Sequence, residues 1–89
     1  MYTIYKENRK QIDYSQLKDL YKGKWLFLVN LVNFSYIDGD DVIFRPPEKC
    51  EVYVVADEPY EGAEEDIYDK IFTNAEDYGF FYSLDLRVQ

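Results

Sequence analysis

The alternation of apolar and polar positions divides the chain into short strands and two helices. Residues 24–34 are rich in β-forming side chains and apolar on both faces, which is typical of a central strand covered on both sides. Residues 80–88 instead place apolar side chains at every second position and predict a closing strand. Two further stretches, residues 2–5 and 50–56, predict an N-terminal edge strand or arm and another strand of the sheet.

Two segments have the spacing of a helix. The first is about two turns long, since Asp13 or Ser15 can cap its start and Gly23 suits the position after its end. Its apolar face comprises Leu17, Leu20 and Tyr21. The second covers residues 63–75 and carries acids on the opposite face. Its apolar positions are Ile67, Tyr68, Ile71, Phe72 and Ala75.

A hairpin is predicted between the central strand and residues 50–56. Asp38-Gly39 lies between apolar runs, and both residues tolerate the positive φ of a tight turn. Residues 42–44 then form the returning strand, which Pro46-Pro47 ends. The sum is an α+β fold: a small antiparallel sheet of four to five strands, one short N-terminal helix and one acidic amphipathic helix. We also expect a barrel-like curl of the sheet, as in many small aromatic-rich sheets.

Composition supports one folded domain spanning residues 1–89. Hydrophobic residues make up 47% of the chain and aromatic residues 19%, enough apolar surface to offset the entropy lost on folding. No apolar run approaches the roughly 18 residues that a membrane span needs, and the N-terminus lacks the pattern of a signal peptide. The single cysteine, Cys50, fits a reducing compartment. We therefore expect a cytoplasmic protein that does not associate with membranes.

Negative charge is concentrated in the second half of the chain. Residues 1–49 hold eight Lys and Arg against seven Asp and Glu, whereas residues 50–89 hold two against eleven. Nine carboxylates lie within residues 57–77, where Lys70 is the single cation. Such a field repels nucleic acid and attracts basic proteins or cations, over roughly 8–10 Å at physiological salt. Direct binding of nucleic acid is therefore not expected.

The residue types argue against most catalytic and cofactor chemistry. The chain has no histidine, which is the usual general base and the commonest zinc ligand. Cys50 stands at the start of an apolar strand, which favours a structural thiol over a nucleophile. The aspartates within residues 38–41 resemble the start of a calcium loop, but positions 42 and 43 are apolar where that loop needs an oxygen ligand and a glycine. We predict no catalytic residue, no cofactor and no metal site.

The acidic segment is the one feature from which a specific function can be argued. A solvated helix face that keeps an aromatic-rich protein in solution is the simpler explanation. The functional hypothesis is an array of carboxylates that binds the basic surface of another protein, where it stands in for nucleic-acid phosphates. Small acidic inhibitors of restriction and CRISPR enzymes offer an analogy of charge and size. The predicted partner-binding residues are Asp57, Glu58, Tyr60, Glu61, Glu64, Glu65 and Asp69.

One sequence pattern resembles that of a known group of proteins. Residues 21–30 read YKGKWLFLVN, residues 54–57 read VVAD and residues 61–62 read EG. This pattern resembles short uncharacterised proteins of low-GC Gram-positive bacteria and covers about half of the chain. The resemblance implies no established activity, cofactor or catalytic residue.

Two functions from different classes follow from the sequence. The first is a non-enzymatic protein-binding module that uses the acidic helix and exposed tyrosines. The alternative is a binder of a small ligand inside an aromatic-lined sheet, which requires an internal cavity with convergent polar groups. The sequence also leaves homodimerisation open, through a free sheet edge or through contact of the basic N-terminal part with the acidic helix.

Overall fold

The computed structural model describes residues 1–73 and 80–87, which form seven strands and two helices. In chain order these are β1 (Tyr2–Ile4), β2 (Ile12–Asp13), α1 (Tyr14–Leu20), β3 (Trp25–Val32), β4 (Ser35–Asp38), β5 (Asp41–Phe44), β6 (Lys49–Ala56), α2 (Ala63–Thr73) and β7 (Phe81–Asp85). The predicted α+β class and the antiparallel character of the sheet are confirmed, because every strand pair is antiparallel.

The main sheet has the strand order β1, β6, β3, β7, and β2 pairs with β6 on the same side as β1. Tyr2 lies opposite Ala56, and Ile12 lies opposite Cys50. The N-terminal segment therefore runs along one edge of β6, and β7 forms the opposite edge of the sheet. Within the described residues these two edges do not pair.

The expected barrel-like curl is wrong, because the sheet is not closed. Only four strands lie side by side across it, and the small barrels that bring two edges together use five or more. The apolar faces of the sheet are covered by helices instead, so closure is not needed to remove them from water.

A helix covers each face of β3, which explains why residues 25–29 are all buried. The cluster on the α2 side consists of Trp25, Phe27, Val29, Tyr53, Val54, Ala56, Ala63 and Ile67. The cluster on the α1 side consists of Leu17, Leu26, Leu28, Cys50, Val52 and Leu86. The prediction of a central strand covered on both sides is confirmed.

The hairpin of β4 and β5 forms a separate two-stranded sheet, although its existence is as predicted. Asp38 lies opposite Asp41, so the two residues at the turn are Gly39 and Asp40. The expected pair was Asp38-Gly39, with positive φ at both positions. Among these residues only Gly39 has a positive φ, of 64°, and this is the position that a type II′ turn gives to glycine.

The ends of the other elements differ from expectation by a few residues. Asp13 precedes α1, but its side chain makes no capping hydrogen bond. Leu20 was expected on the apolar face of α1 and is 60% exposed, because a two-turn helix buries little more than Leu17. β7 spans Phe81–Asp85 within the longer predicted segment. Positions 74 and 75 of the predicted second helix and position 88 of the predicted last strand lie outside the described residues.

Candidate functional site

The acidic helix α2 is positioned by its apolar residues and by two contacts with the N-terminal arm. Ala63 and Ile67 are buried against the sheet, so the positions between them face outward. Tyr60, just before the helix, stacks on Tyr2 with the ring centroids 4.2 Å apart. Further along, the Lys70 ammonium donates a 2.7 Å hydrogen bond to a backbone carbonyl in the loop after β1. The orientation of α2 on the sheet is therefore fixed.

Five of the predicted partner-binding residues are exposed carboxylates on α2 and on the loop before it. We call them the acidic face: Glu58, Glu61, Glu64, Glu65 and Asp69. On the helix, positions 65 and 69 are one turn apart, which places their Cβ atoms about 5–6 Å from each other. Like charges at this spacing reinforce one another's field. The acidic face therefore presents a concentrated negative potential to a partner.

Asp57, a sixth predicted carboxylate, has basic partners within the molecule. Its side chain accepts a hydrogen bond from the Lys24 ammonium and lies 3.8 Å from the N-terminal ammonium. The hydrogen bond from Lys24 is the main reason why the pKa of Asp57 is lowered, and the positive charge of Lys24 adds to it. Asp57 thus joins the end of β6 to the start of β3, and the nearby cations offset part of its charge.

Tyr60 has a structural environment and is only half exposed. In addition to its stack on Tyr2, its hydroxyl donates to Asp66 Oδ2 at 3.4 Å. Hydrogen bonding to Tyr2, partial burial and the nearby charge of Asp66 raise the pKa of Tyr60 to about 12. Tyr60 therefore connects the start of α2 to β1, and Tyr68, which is 48% exposed, is the tyrosine available beside the acidic face.

The hairpin exposes an apolar surface that sequence reasoning missed. Ile37 is 79% exposed, Phe44 65% and Val42 57%, and Phe80 beside them is 56% exposed. Fully burying one such side chain is worth roughly 1.5–3 kcal/mol, so leaving four of them in contact with water is unfavourable. Exposed apolar surfaces of this kind mark contacts with other molecules in monomeric proteins.

A signal for this surface is present in the sequence. Each strand of the hairpin has two consecutive apolar residues, Tyr36-Ile37 and Val42-Ile43. Consecutive residues point to opposite faces, so both faces of the hairpin carry apolar side chains. A two-stranded element at the margin of a small fold can be covered on one face at most, so one set of these side chains has to be exposed. The sequence therefore predicted the hairpin, but the exposure of its apolar side chains was overlooked.

The larger hollows among the described residues are open grooves at the surface. One, of about 440 Å³, lies between the N-terminal arm and the end of α1 and is lined by Tyr5, Tyr21 and Arg9 among others. Arg9 is held there by hydrogen bonds to Glu51 Oε1 at 3.1 Å and to the Tyr5 carbonyl at 2.8 Å. The hollows found among the described residues do not include a closed aromatic cavity, and the ligand-binding alternative stays a prediction.

The remaining chemical candidates lie in structural positions. Cys50 is fully buried, and burial raises the pKa of its thiol to about 11, which disfavours the reactive thiolate. Among residues 1–73 and 80–87, no group of three or more Cys, Asp and Glu side chains is arranged to hold a metal ion. Within the same residues, no helix is both long enough and apolar enough to cross a membrane.

Comparison with protein-family models, with curated proteins and with solved structures gave no match to this chain. The resemblance to short proteins of Gram-positive bacteria therefore stays a prediction.

Proposed function

We propose that this protein is a non-enzymatic module that binds a basic protein through the acidic face. The observation that carries the proposal is the fixed presentation of exposed carboxylates: Glu64, Glu65 and Asp69 lie on a helix whose opposite side is buried through Ala63 and Ile67. A partner does not have to order this surface on binding, so little of the electrostatic attraction is lost to conformational entropy.

The expected partner is a protein whose own surface concentrates Lys and Arg. Attraction between the two fields accelerates association at low ionic strength, and salt weakens the effect because charges farther apart than about 8–10 Å are screened. In the narrower form of this proposal the partner is a nucleic-acid-binding protein, and the acidic face occupies the site of the phosphates. Duplex DNA then competes with the module for the partner.

The test compares two variants that differ only in where charge is removed. The first carries Glu58→Gln, Glu61→Gln, Glu64→Gln and Glu65→Gln. The control carries Glu7→Gln, Asp19→Asn, Asp38→Asn and Asp40→Asn, four exposed carboxylates outside the acidic face. Each substitution removes one negative charge, so both variants have a net charge of −4 where the wild type has −8.

Wild type and both variants are immobilised and exposed to lysate of the native host at moderate salt. We expect a basic partner to be captured by the wild type and by the control but lost by the first variant, since only the first variant lacks the acidic face. Equal capture by both variants, or equal loss, would show that the acidic face is not the binding surface. Competition of the captured partner with duplex DNA then tests the narrower form.

A further inference from the structure

The three most exposed apolar side chains of the hairpin, those of Ile37, Val42 and Phe44, share one face, and neither β4 nor β5 places a charged residue on it. In the register of β4 and β5, Ile37 lies opposite Val42, and Ser35 lies opposite Phe44. Because side chains alternate along a strand, these four residues point to the same side. Asp38 and the other charged members of the two strands belong to the opposite side. We call Ile37, Val42, Phe44 and Phe80 the apolar hairpin face.

Ring contacts make this face continuous with the start of β7. Phe34 stacks on Phe44 with centroids 6.4 Å apart and an angle of 12° between the rings. Phe80 lies 5.0 Å from Phe34 and 6.3 Å from Phe44, measured between ring centroids. The three rings hold one another in place, so the surface is formed before anything binds to it.

The nearest cation of the hairpin is directed elsewhere. The Arg45 guanidinium lies over the ring of Tyr36, 5.4 Å from its centroid, and donates to the Asn33 carbonyl oxygen at 3.1 Å. Tyr36 belongs to the side opposite Ile37 and Val42, because it pairs with Ile43. Arg45 lines the hollow beside Phe44 and Phe80, but its guanidinium lies over Tyr36, so among the described residues β4 and β5 direct neither a carboxylate nor a cation to the apolar hairpin face.

We propose that a second copy of this chain covers the apolar hairpin face, so that the protein forms a two-fold homodimer. In such a contact the same surface meets itself, and any charge near the axis faces its own copy. A face without charges satisfies this condition, whereas a surface for a basic partner would carry acids. The cores of homodimer interfaces are likewise apolar and depleted in charged residues.

Charge also selects how the two hairpins are arranged. The turn carries Asp38, Asp40 and Asp41, all exposed. An antiparallel arrangement places the two turns at opposite ends of the interface. Strands of four residues are about 13 Å long, so the two turns are separated by more than the screening length at physiological salt. A stable interface buries about 800 Å² on each copy. The apolar hairpin face has only four large exposed side chains and is smaller than this, so the dimer is expected to be weak.

Sedimentation velocity over total concentrations from about 1 μM to about 1 mM tests the proposal, since small interfaces have dissociation constants in this interval. The wild type is expected to pass from monomer to dimer. Ile37→Thr with Val42→Thr, which keeps β-branched side chains in the strands, is expected to weaken the dimer at least tenfold. The control, Leu20→Gln, removes a similarly exposed apolar side chain from α1 and is expected to dimerise as the wild type does.

A salt series on the wild type decides the question even if the double variant does not fold. Raising NaCl from about 0.05 to about 0.5 M screens the repulsion between two copies of charge −8, so an apolar contact is kept or strengthened. A contact of the acidic face with the basic N-terminal part would instead weaken with salt. A wild type that stays monomeric at about 1 mM, a dimer unaffected by the double variant, or a dimer dissociated by salt would each overturn the proposal. None of these outcomes depends on what the acidic face binds.

Discussion

Helix α2 and the hairpin of β4 and β5 both carry large apolar side chains, and the two elements differ in how far these side chains are buried. Ile67 of α2 is fully buried, whereas Ile37 of the hairpin is 79% exposed. The helix packs on a sheet that already exists, so its apolar positions face the core and its acids face water. The hairpin is a separate pair of strands, and among residues 1–73 and 80–87 no third strand pairs with it.

This difference separates two reasons for a residue to be exposed. Carboxylates on the outside of a helix are in their preferred environment, and a function for them has to be argued from their number and arrangement. Exposed isoleucine, valine and phenylalanine on one surface are in an unfavourable environment, and such a surface is a candidate for contact with another molecule. The proposal of a charged partner therefore rests on the arrangement of the acidic face, and the proposal of a second copy rests on the exposure of the apolar hairpin face.

The same substitution placed in the two regions gives the largest expected contrast. Ile67→Ala leaves a cavity between α2 and the sheet and should lower the free energy of unfolding by roughly 2–5 kcal/mol. Ile37→Ala removes a side chain that is mostly in water and should cost less than about 1 kcal/mol. Urea denaturation at low protein concentration, where the proposed dimer would be dissociated, measures both. Losses of equal size would mean that the hairpin is covered within the monomer.

Two glycines, one in each region, give an intermediate effect for different reasons. Gly39 has a φ of 64° with open space around it, so Gly39→Ala should cost about 1–2 kcal/mol through backbone strain alone. Gly39→Asn should cost less, since asparagine tolerates this conformation. At Gly62, an added Cβ would lie 2.6 Å from the Tyr60 hydroxyl oxygen. Gly62→Ala should therefore displace the Tyr60 ring and cost about 0.5–1.5 kcal/mol in lost stacking.

The control for Gly62 is the same substitution in a Tyr60→Ala background. With the ring absent, the added Cβ has nothing to displace, and the cost of Gly62→Ala should largely vanish in thermal denaturation. If the cost persists, the backbone at residue 62 is the cause and the contact with Tyr60 is not. Gly39→Ala should cost the same in both backgrounds, because Tyr60 lies in the other region.

The smallest effect concerns the side of the hairpin that carries Tyr36. Arg45→Gln removes the guanidinium from the ring of Tyr36, an exposed cation–π contact worth about 0.5–1 kcal/mol. A double-mutant cycle with Tyr36→Leu, followed by hydrogen exchange of the hairpin amides, measures the coupling between the two side chains. Strictly additive effects would show that Arg45 stabilises the hairpin only through its hydrogen bond to the Asn33 carbonyl.

The sequence was informative where burial is decided locally. An apolar run without alternation predicted β3, and the spacing of apolar residues around Ile67 predicted α2, because each pattern reports which faces of the element are buried. The hairpin was predicted from its glycine, although the turn is displaced by one residue from the expected pair. In these cases the signal lies within about a dozen consecutive residues.

The sequence was uninformative where the arrangement depends on distant segments. Nothing local shows that β1 and β2 share one edge of β6, that β7 lies at the opposite edge, or that the sheet stays open. The same limit applies to the candidate site: Tyr60 stacks on Tyr2, which is 58 positions away in the chain, and no local pattern indicates this contact. The pattern of apolar and polar positions indicates which face of an element a residue belongs to, but it does not indicate which distant residue that face contacts.

The pairing of β6 and β3 with distant segments has a consequence for how the chain folds. Tyr2 pairs with Ala56, and Trp25 pairs with both Ala56 and Asp85. Every strand of the main sheet therefore pairs with a strand that is tens of residues away in the sequence. Closing such long loops costs entropy before any contact compensates for it, and two-state proteins with this topology fold in milliseconds to seconds where helical bundles take microseconds to milliseconds. During synthesis the first strand therefore remains without its neighbour until β6 has left the ribosome, and the main sheet can be completed only after β7 has followed.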